Sequence, residues 1–554
     1  MIKVSVLLLA FILVLLTNAC EHSKDLNYSG ATSEDVYYDY VTVEKSRAKA
    51  ESEPLPPPPP PPNEDDIPSD EMNTEEYDKI VENTFKGVKE QPVSTFSIDV
   101  DNAAYSNVRR FINQNNLPPK SAVRIEEMIN YFNYDYPQPT TEHPFSINTE
   151  IAAAPWNNQH HLIHIGLQGK NLDYETKNPS NLVFLIDASG SMSSDNKLPL
   201  LKKGLKILLD ELDDNDRVAI VAYAGAAGLV LPSTKASNKN TILSALESVE
   251  SGGSTAGGEG IELAYKIAKE NMFEGGNNRV ILATDGDFNL GVTSTGSLVE
   301  LIEEKRKDNI YLTICGLGMG NYKDGRMEQI SNAGNGNYFY IDNILEAEKV
   351  FKKEMQANLF TIAKDVKIQI EFNPNTVKAY RLIGYENRML AKEDFDNDAK
   401  DAGELGAGHT VTAIYEVILN GSTSEQKIQE AADLKYQTVV QGTNSADLMT
   451  VKFRYKKPEA DKSILIEQAL AKGRIPTIAA TSDNFRFSAA VAGFGMLLRD
   501  SEFKGNYTYE TMIDLANASR AEDSNGYRSE FIQLVKKAAM LSKYAVRTQQ
   551  KNKE

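Results

Sequence analysis

Asn181-Leu-Val-Phe-Leu-Ile-Asp-Ala-Ser-Gly-Ser-Met-Ser-Ser194 is the stretch whose reading decides the fold. Leu182 to Ile186 form an unbroken apolar run, the pattern of a parallel strand buried on both faces. The run stops at Asp187, and Ser189, Gly190, Ser191, Ser193 and Ser194 follow in a small, oxygen-rich turn. Asp187, Ser189 and Ser191 alternate, so a carboxylate and two hydroxyls stand at the C-terminal end of the strand, where open α/β sheets bind ligands. Hard oxygen donors on a tight turn suit Mg2+ or a similar cation.

Outward from this strand, residues 181–360 alternate between strand and helix patterns. Lys197 to Leu212 reads as a helix, Arg217 to Tyr223 as a buried strand and Leu229 to Leu231, before Pro232, as a short edge strand. Helices over Lys239–Val249 and Gly260–Glu270 and a buried strand over Asn278–Thr284 come next. The pattern closes with a helix at Ser297–Arg306, a strand at Ile310–Cys315, a helix at Lys323–Asn332, a strand at Gly336–Ile341 and a helix at Leu345–Phe360. Such alternation predicts an α/β fold, a doubly wound and mainly parallel sheet with helices on both faces. Two further loops end at the sheet edge of Asp187. Gly252-Gly-Ser-Thr-Ala-Gly-Gly258 offers the hydroxyl of Thr255, and Ala283-Thr-Asp-Gly-Asp287 offers Asp285. Asp187, Ser189, Ser191, Thr255 and Asp285 thus supply oxygens from three loops, with Asp287 as a candidate supporting group or an exposed loop acid. One such loop alone says little, because Asp and Ser cap helices constantly.

The set resembles the metal-ion-dependent adhesion site of the von Willebrand factor type A domain. The pattern Asp-x-Ser-x-Ser, then Thr, then Asp is matched at Asp187, Ser189, Ser191, Thr255 and Asp285. The resemblance implies a Mg2+ or Mn2+ ion with one open position, which in relatives is often filled by a carboxylate of a protein partner. The flanks are similar to those of a family of bacterial type A proteins. Ser94 to Phe111, Leu117-Pro-Pro and Glu126 to Phe132 resemble its N-terminal region. Arg381 to Arg388, Asp401 to Ala413 and Phe494 to Arg499 resemble its C-terminal domain of unknown function.

Outside residues 181–360 the order is simple. Residues 1–19 read as a signal peptide, with Lys3 ahead of an uncharged stretch from Val4 to Leu16 that is short for a membrane span. The junction Thr17-Asn-Ala-Cys20 resembles a bacterial lipobox, which would make Cys20 the lipid attachment site; a plain secretory signal is the alternative. Residues 20–78 are expected from their composition to be a disordered tether, in which the proline run Pro56 to Pro62 would act as a semi-rigid spacer. Residues 79–144 form an N-terminal region, and 145–180 carry strands that join a flanking β sandwich. Residues 361–456 are rich in alternating strands, and 457–554 are mainly helical. Ala489 to Leu498 is the most apolar helical segment and reads as core.

The chain has 554 residues and a net charge of −19, which disfavours nucleic acid as a partner because phosphate binding needs a basic face. Cys315, in an apolar strand, reads as a small buried hydrophobe. His160, His161 and His164 cluster beside Trp156, yet no carboxylate near them in sequence completes a zinc set. Asp99 and Asp101 read as a capped strand end, and His409 as structural. No Ser-His-Asp triad, P-loop or second metal site is legible, so no enzyme is expected. The expectation is a lipid-anchored binding module of the bacterial cell envelope, whose Mg2+ or Mn2+ site captures a carboxylate of a protein partner. The alternatives are an envelope scaffold with the metal as a conformational latch and, further off, a metal-dependent hydrolase.

Overall fold

The computed structural model describes residues 75–98, 101–171, 178–253, 257–286, 295–320, 322–355, 357, 360–428 and 445–551. The signal segment, Cys20, the proline run, Asp99, Thr255 and Asp287 lie outside the described residues.

The first strands are β1 (Lys86–Gly87) and β2 (Val93–Ser97), followed by helices α1 (Ala103–Asn113) and α2 (Ile125–Asn130) and the long strands β3 (Phe145–Ala154) and β4 (Asn157–Gly169). Then comes the α/β unit. It runs β5 (Ser180–Asp187), α3 (Leu198–Asp210), β6 (Arg217–Tyr223), β7 (Ala227–Lys235), α4 (Lys239–Glu247), α5 (Gly257–Glu270), β8 (Asn277–Thr284), α6 (Thr295–Arg306), β9 (Ile310–Leu317), α7 (Asp324–Ala333), β10 (Tyr338–Ile341) and α8 (Ile344–Glu348).

Strands β5 to β10 make one sheet in the order β10-β9-β8-β5-β6-β7. All neighbours are parallel except β7, which pairs antiparallel with β6. The alternation of β5 explains why its apolar run is unbroken. Leu182, Phe184 and Ile186 face one core with Leu201 and Leu205 of α3 and Ile242 of α4. Val183 and Leu185 face the other, with Ile261 and Ala264 of α5, Ile302 of α6 and Ile330 of α7. Each such side chain contributes about 1.5–3 kcal/mol by leaving water. Because β6 and β8 flank β5 on opposite sides, the sheet switches winding direction at Asp187, the position where doubly wound folds open a crevice.

The β-rich part is a sandwich. Its strands are β11 (Thr361–Phe372), β12 (Val377–Ile383), β13 (Met389–Leu390), β14 (Gly403–Gly406), β15 (Thr410–Leu419), β16 (Asp447–Lys456) and β17 (Ile464–Ala471), joined by β1 to β4. One sheet has the order β1-β12-β15-β4-β3 and the other β13-β2-β11-β16-β17. Ile163, Ile165 and Leu167 of β4 and Tyr415 of β15 meet Phe96, Ile368, Ile370 and Phe453 of the facing sheet in one core. The opposite face of the first sheet, with Leu162, Ile383, Ile414 and Ile418, packs on α1, α2 and the C-terminal helices α9 (Asp483–Arg499), α10 (Tyr509–Ala518) and α11 (Tyr527–Lys551). Ala489 to Ala492 lie inside that core. None of the described helices is long and apolar enough to cross a membrane.

Several element bounds differ by a few residues from the sequence reading, and three of the differences have a local physical cause. The edge strand expected at Leu229–Leu231 extends over Ala227–Lys235, through Pro232; a proline is tolerated there because edge N–H groups need no partner. The helix expected at Val123–Phe132 starts at Ile125, because Arg124 is extended and sends its guanidinium to Glu127 and Asp324. The closing helix expected at Leu345–Phe360 is α8 followed by a π-helical turn over Lys349–Glu354, in which Lys349 Nζ reaches Glu354 Oε1 at 2.8 Å, five residues on. The chain then enters β11 at Thr361, which pairs with Gly406 of β14.

Where the α/β unit meets the sandwich, Glu404 accepts from Thr361 Oγ1 at 2.9 Å and from Asn335 Nδ2 at 3.3 Å. Burial raises its carboxyl to about 7, with Asp401 and Asp365 adding to the rise against Thr361 and Arg279. A folded pKa above the unfolded value contributes stability that is present below about 4.5 and is lost as pH rises through about 7. Unfolding by denaturant at pH 5 and pH 8 is therefore expected to show a smaller loss in Glu404→Gln than in wild type. The difference should be roughly 1–3 kcal/mol, at about 1.4 kcal/mol per pKa unit; equal losses in both proteins would contradict it.

Candidate metal centre

Asp187 ends β5 and is fully buried. Its two oxygens are aimed in different directions. Oδ1 accepts the backbone N–H of Ser189 at 2.9 Å, and Oδ2 accepts Thr284 Oγ1–H at 3.1 Å. Thr284 is the last residue of the neighbouring β8, and its hydroxyl in turn accepts Gly286 N–H at 3.2 Å. Ser189 is buried, and its Oγ lies 3.0 Å from Ser191 Oγ as the chain tightens into the 3-10 turn Gly190–Ser193. Asp285, buried, follows Thr284 directly. The structure thus brings Asp187, Ser189, Ser191 and Asp285 to one edge of the sheet.

The glycine loop runs alongside. Gly252 N–H donates to Ala188 O at 2.8 Å, and Gly190 N–H donates to Gly253 O at 3.1 Å. Gly253 has φ +80, a conformation that a side chain would strain. Two backbone bonds therefore hold the residues leading to Thr255 against the Ser189 turn.

Burial raises the Asp187 carboxyl above its usual range, and the charge of Asp285 pushes the same way, against hydrogen bonds from Ser189 and Thr284. Two buried carboxylates whose charges oppose one another call for a cation. Lys197, which precedes α3, answers in part. Its Nζ lies 2.9 Å from Asp285 Oδ2 and donates to Ser191 O at 2.9 Å. The donor set consists of hard oxygens of net negative charge, so it fits a cation such as Mg2+ or Mn2+. Sequence reasoning passed over Lys197 and Thr284. Lysine before a helix is unremarked in any sequence, and Thr284 acts through a bond to Asp187 that crosses between strands. An ammonium at Asp285 opposes an incoming cation, so Lys197→Met is expected to raise Mg2+ affinity about three- to tenfold, near 1 kcal/mol of partly solvated charge contact. Titration calorimetry reads this directly; unchanged or weaker binding would contradict it.

A second group of buried acids has another role. Carboxylate oxygens of Asp101, Glu127 and Glu328 lie within 4.8 Å of one another. Arg124 bonds Glu127 and Asp324, and Arg388 bonds Asp101 at 3.0 Å and Glu328 at 3.1 Å. Asp101 also accepts Tyr338 N–H at 2.7 Å. These acids are matched by guanidinium groups and tie α2 and the sandwich to α7 and β10. His164 Nε2 is hydrogen-bonded to Tyr136 OH at 3.0 Å in the core, and burial lowers its pKa to about 3. Cys315 is buried, with its thiol pushed up to about 12. His409 pairs with Glu354 at 3.3 Å.

A doubly wound sheet whose switch-point strand ends in Asp-x-Ser-x-Ser, beside a neighbouring Thr-Asp, defines a von Willebrand factor type A domain. The family profile of that domain matches residues 181–376, a second profile described as von Willebrand factor matches 71–164, and a profile described as uncharacterized protein YfbK, C-terminal, matches 357–541. The chain belongs to the family of the uncharacterized protein YfbK of Escherichia coli strain K12. It is 44% identical to that protein over 473 residues, covering 84% of this chain and 81% of the relative. The uncharacterized protein sll0103 of Synechocystis is 24% identical over 309 residues, 56% of this chain and 69% of that one. Among solved structures, a von Willebrand factor type A protein from Catenulispora acidiphila aligns over 71% of this chain and 91% of its own, with 18% identity and a TM-score of 0.41. Type A domains are typically interaction modules that bind a metal ion.

Proposed function

We propose that this protein is an envelope-anchored binding module that captures an acidic group of a protein partner through a Mg2+ or Mn2+ ion held by Asp187, Ser189, Ser191, Thr255 and Asp285. The observation that carries the reading is the pair of buried carboxylates at adjacent strand ends, with Ser189 and Ser191 hydroxyls beside them. Mg2+ takes six oxygen ligands, so two acids and three neutral hydroxyls balance its charge and leave a sixth position open to a further carboxylate oxygen. A lipid on Cys20 would hold the protein to a membrane, and the proline-rich segment would set its reach. Crosslinking in the native envelope, with Mg2+ or with chelator, tests the capture step. Partners lost on chelation and in Asp285→Ala support it; partners unchanged by both contradict it.

A structural latch is the second reading, and the grip on α8 favours it. Arg109 of α1 bonds Asp342 and Glu346, and reaches Glu530 of α11 at 3.2 Å. The last helix of the α/β unit is thus pinned by elements on both sides of it in sequence. Under this reading chelation leaves the partners in place and alters the exposure of α8.

A further inference from the structure

Three strands of the helix-facing sheet surface and one loop place a second chemistry in this chain, built from residues other than those of the metal centre. Arg381 of β12 lies opposite Glu416 of β15. Glu416 in turn lies opposite Leu162 of β4, so His160 is its diagonal neighbour on the same face. Arg381 Nη2 donates to Glu416 Oε2 at 2.6 Å, and His160 Nδ1 stands 2.5 Å from Glu416 Oε1. All three side chains are buried. The chain then leaves β15 and turns back over the start of β4. Ser422 Oγ donates to Gln159 O at 3.0 Å and Thr423 Oγ1 to Gln159 Oε1 at 2.8 Å, which sets Ser424 Oγ 2.7 Å from His160 Nε2.

Donor and acceptor roles follow from these contacts. Burial would raise the Glu416 carboxyl, but Arg381 and His160 outweigh it and hold Glu416 below its usual range, so it is an acceptor only. Glu416 therefore accepts from His160 Nδ1–H, which orients the imidazole with Nε2 toward the Ser424 hydroxyl. Gln426 N–H donates to Ser424 Oγ at 3.2 Å, so the hydroxyl proton is free to point at His160. Asn157 Nδ2, 3.3 Å from Nε2, adds an amide at the same place. An open groove of 490 Å3 lined by Asn157, Gln159, Ser424 and Gln426 gives access to that oxygen. A nucleophile, a base and a group that orients the base, each within hydrogen-bond reach of the next, is the arrangement of acyl-transfer sites on unrelated folds.

We propose that Ser424, His160 and Glu416 form a serine nucleophile site that hydrolyses small carboxylic esters in this groove. Ser424 Oγ bonds to the acyl carbon while its proton passes to His160 Nε2. The ester C–O bond breaks, and the leaving alkoxide takes that proton. Water then adds to the acyl-serine by the same route, releasing the acid and restoring Ser424. Glu416 is a positioning residue that holds the tautomer, and Arg381 keeps it ionised. His160 lies more than 250 residues from Glu416 and Ser424 in the chain, which is why no local motif announces the three together.

The test uses the purified full chain and an alkyl fluorophosphonate, on which Oγ–P bond formation expels fluoride. A single adduct at Ser424, absent from Ser424→Ala and formed about 100-fold more slowly in His160→Gln, supports the proposal. On p-nitrophenyl acetate, Glu416→Gln is expected to lower kcat with KM unchanged. Ser424 lies on a half-exposed loop, so Ser424→Ala decides the case even where the buried variants fail to fold. No adduct at Ser424 with excess probe, or labelling of Ser424→Ala equal to wild type, would overturn it and leave Ser424 as a latch for its loop.

Discussion

Denaturant unfolding of Arg109→Ala at neutral pH is expected to show a loss of about 3–5 kcal/mol against wild type. Arg109 is among the largest fully buried side chains in the structure. Its Nε donates to Asp342 Oδ2 at 2.9 Å, its Nη2 to Glu346 Oε2 at 2.7 Å, and its Nη1 to Tyr131 OH at 3.0 Å. Tyr131 OH donates to the same Glu346 oxygen at 2.7 Å. Alanine leaves two buried carboxylates with no cation, which costs far more than the same change at a surface pair. Burial already raises the Asp342 carboxyl despite Arg109, and without the guanidinium it rises further. A folded pKa raised above the unfolded value gives stability back as pH falls, so the defect should shrink from pH 8 to pH 5. Because the lost contacts join α1, α8 and α11, α8 should also gain amide exchange in the variant. A loss below about 1 kcal/mol, the range of a surface pair, would show that the grip on α8 is not structural.

The second large effect concerns Asp187. Thermal melts of wild type in Mg2+ at 100 times its Kd should show stabilisation of about 2.7 kcal/mol over the chelated protein, and Asp187→Ala should show none. In chelator the alanine variant has a cost of its own. Ser189 N–H and Thr284 Oγ1–H both lose an acceptor in a buried place, at about 1–3 kcal/mol each at most. Removing one of two adjacent buried acids offsets part of that, since the Asp285 charge is among the forces that raise Asp187. Asp187→Asn separates the effects: it keeps an acceptor for Ser189, removes the charge and should still abolish the Mg2+ shift. A Mg2+ shift of wild-type size in both variants would place the metal elsewhere.

Much of the architecture is legible in local pattern. Leu182 to Ile186 had to be a two-sided strand because its even residues meet α3 and its odd residues α5, and the unbroken run reports both cores at once. The alternation in β4 and β15 likewise reports a sheet between a sandwich core and a helical layer. Asp187, Ser189 and Asp285 are legible because residues at the ends of adjacent parallel strands share an edge. Features that depend on distant side chains are not legible. The π-helical turn after α8 follows the Lys349–Glu354 bond, and the late start of α2 follows from where Arg124 finds Asp324. Lys197 beside Asp285, and His160 between Glu416 and Ser424, are contacts between segments 88 and more than 250 residues apart. Thr255 and Asp287 lie outside the described residues, so their place in the site rests on the motif and, for Thr255, on the backbone bonds of Gly252 and Gly253.

A single divalent-cation site at the end of β5 is the feature on which the proposed capture depends. Isothermal titration of Mg2+ into the purified chain, side by side with Asp187→Asn, tests it most directly. One ion bound per wild-type chain and none by the variant is the result predicted; equal binding by both would contradict it.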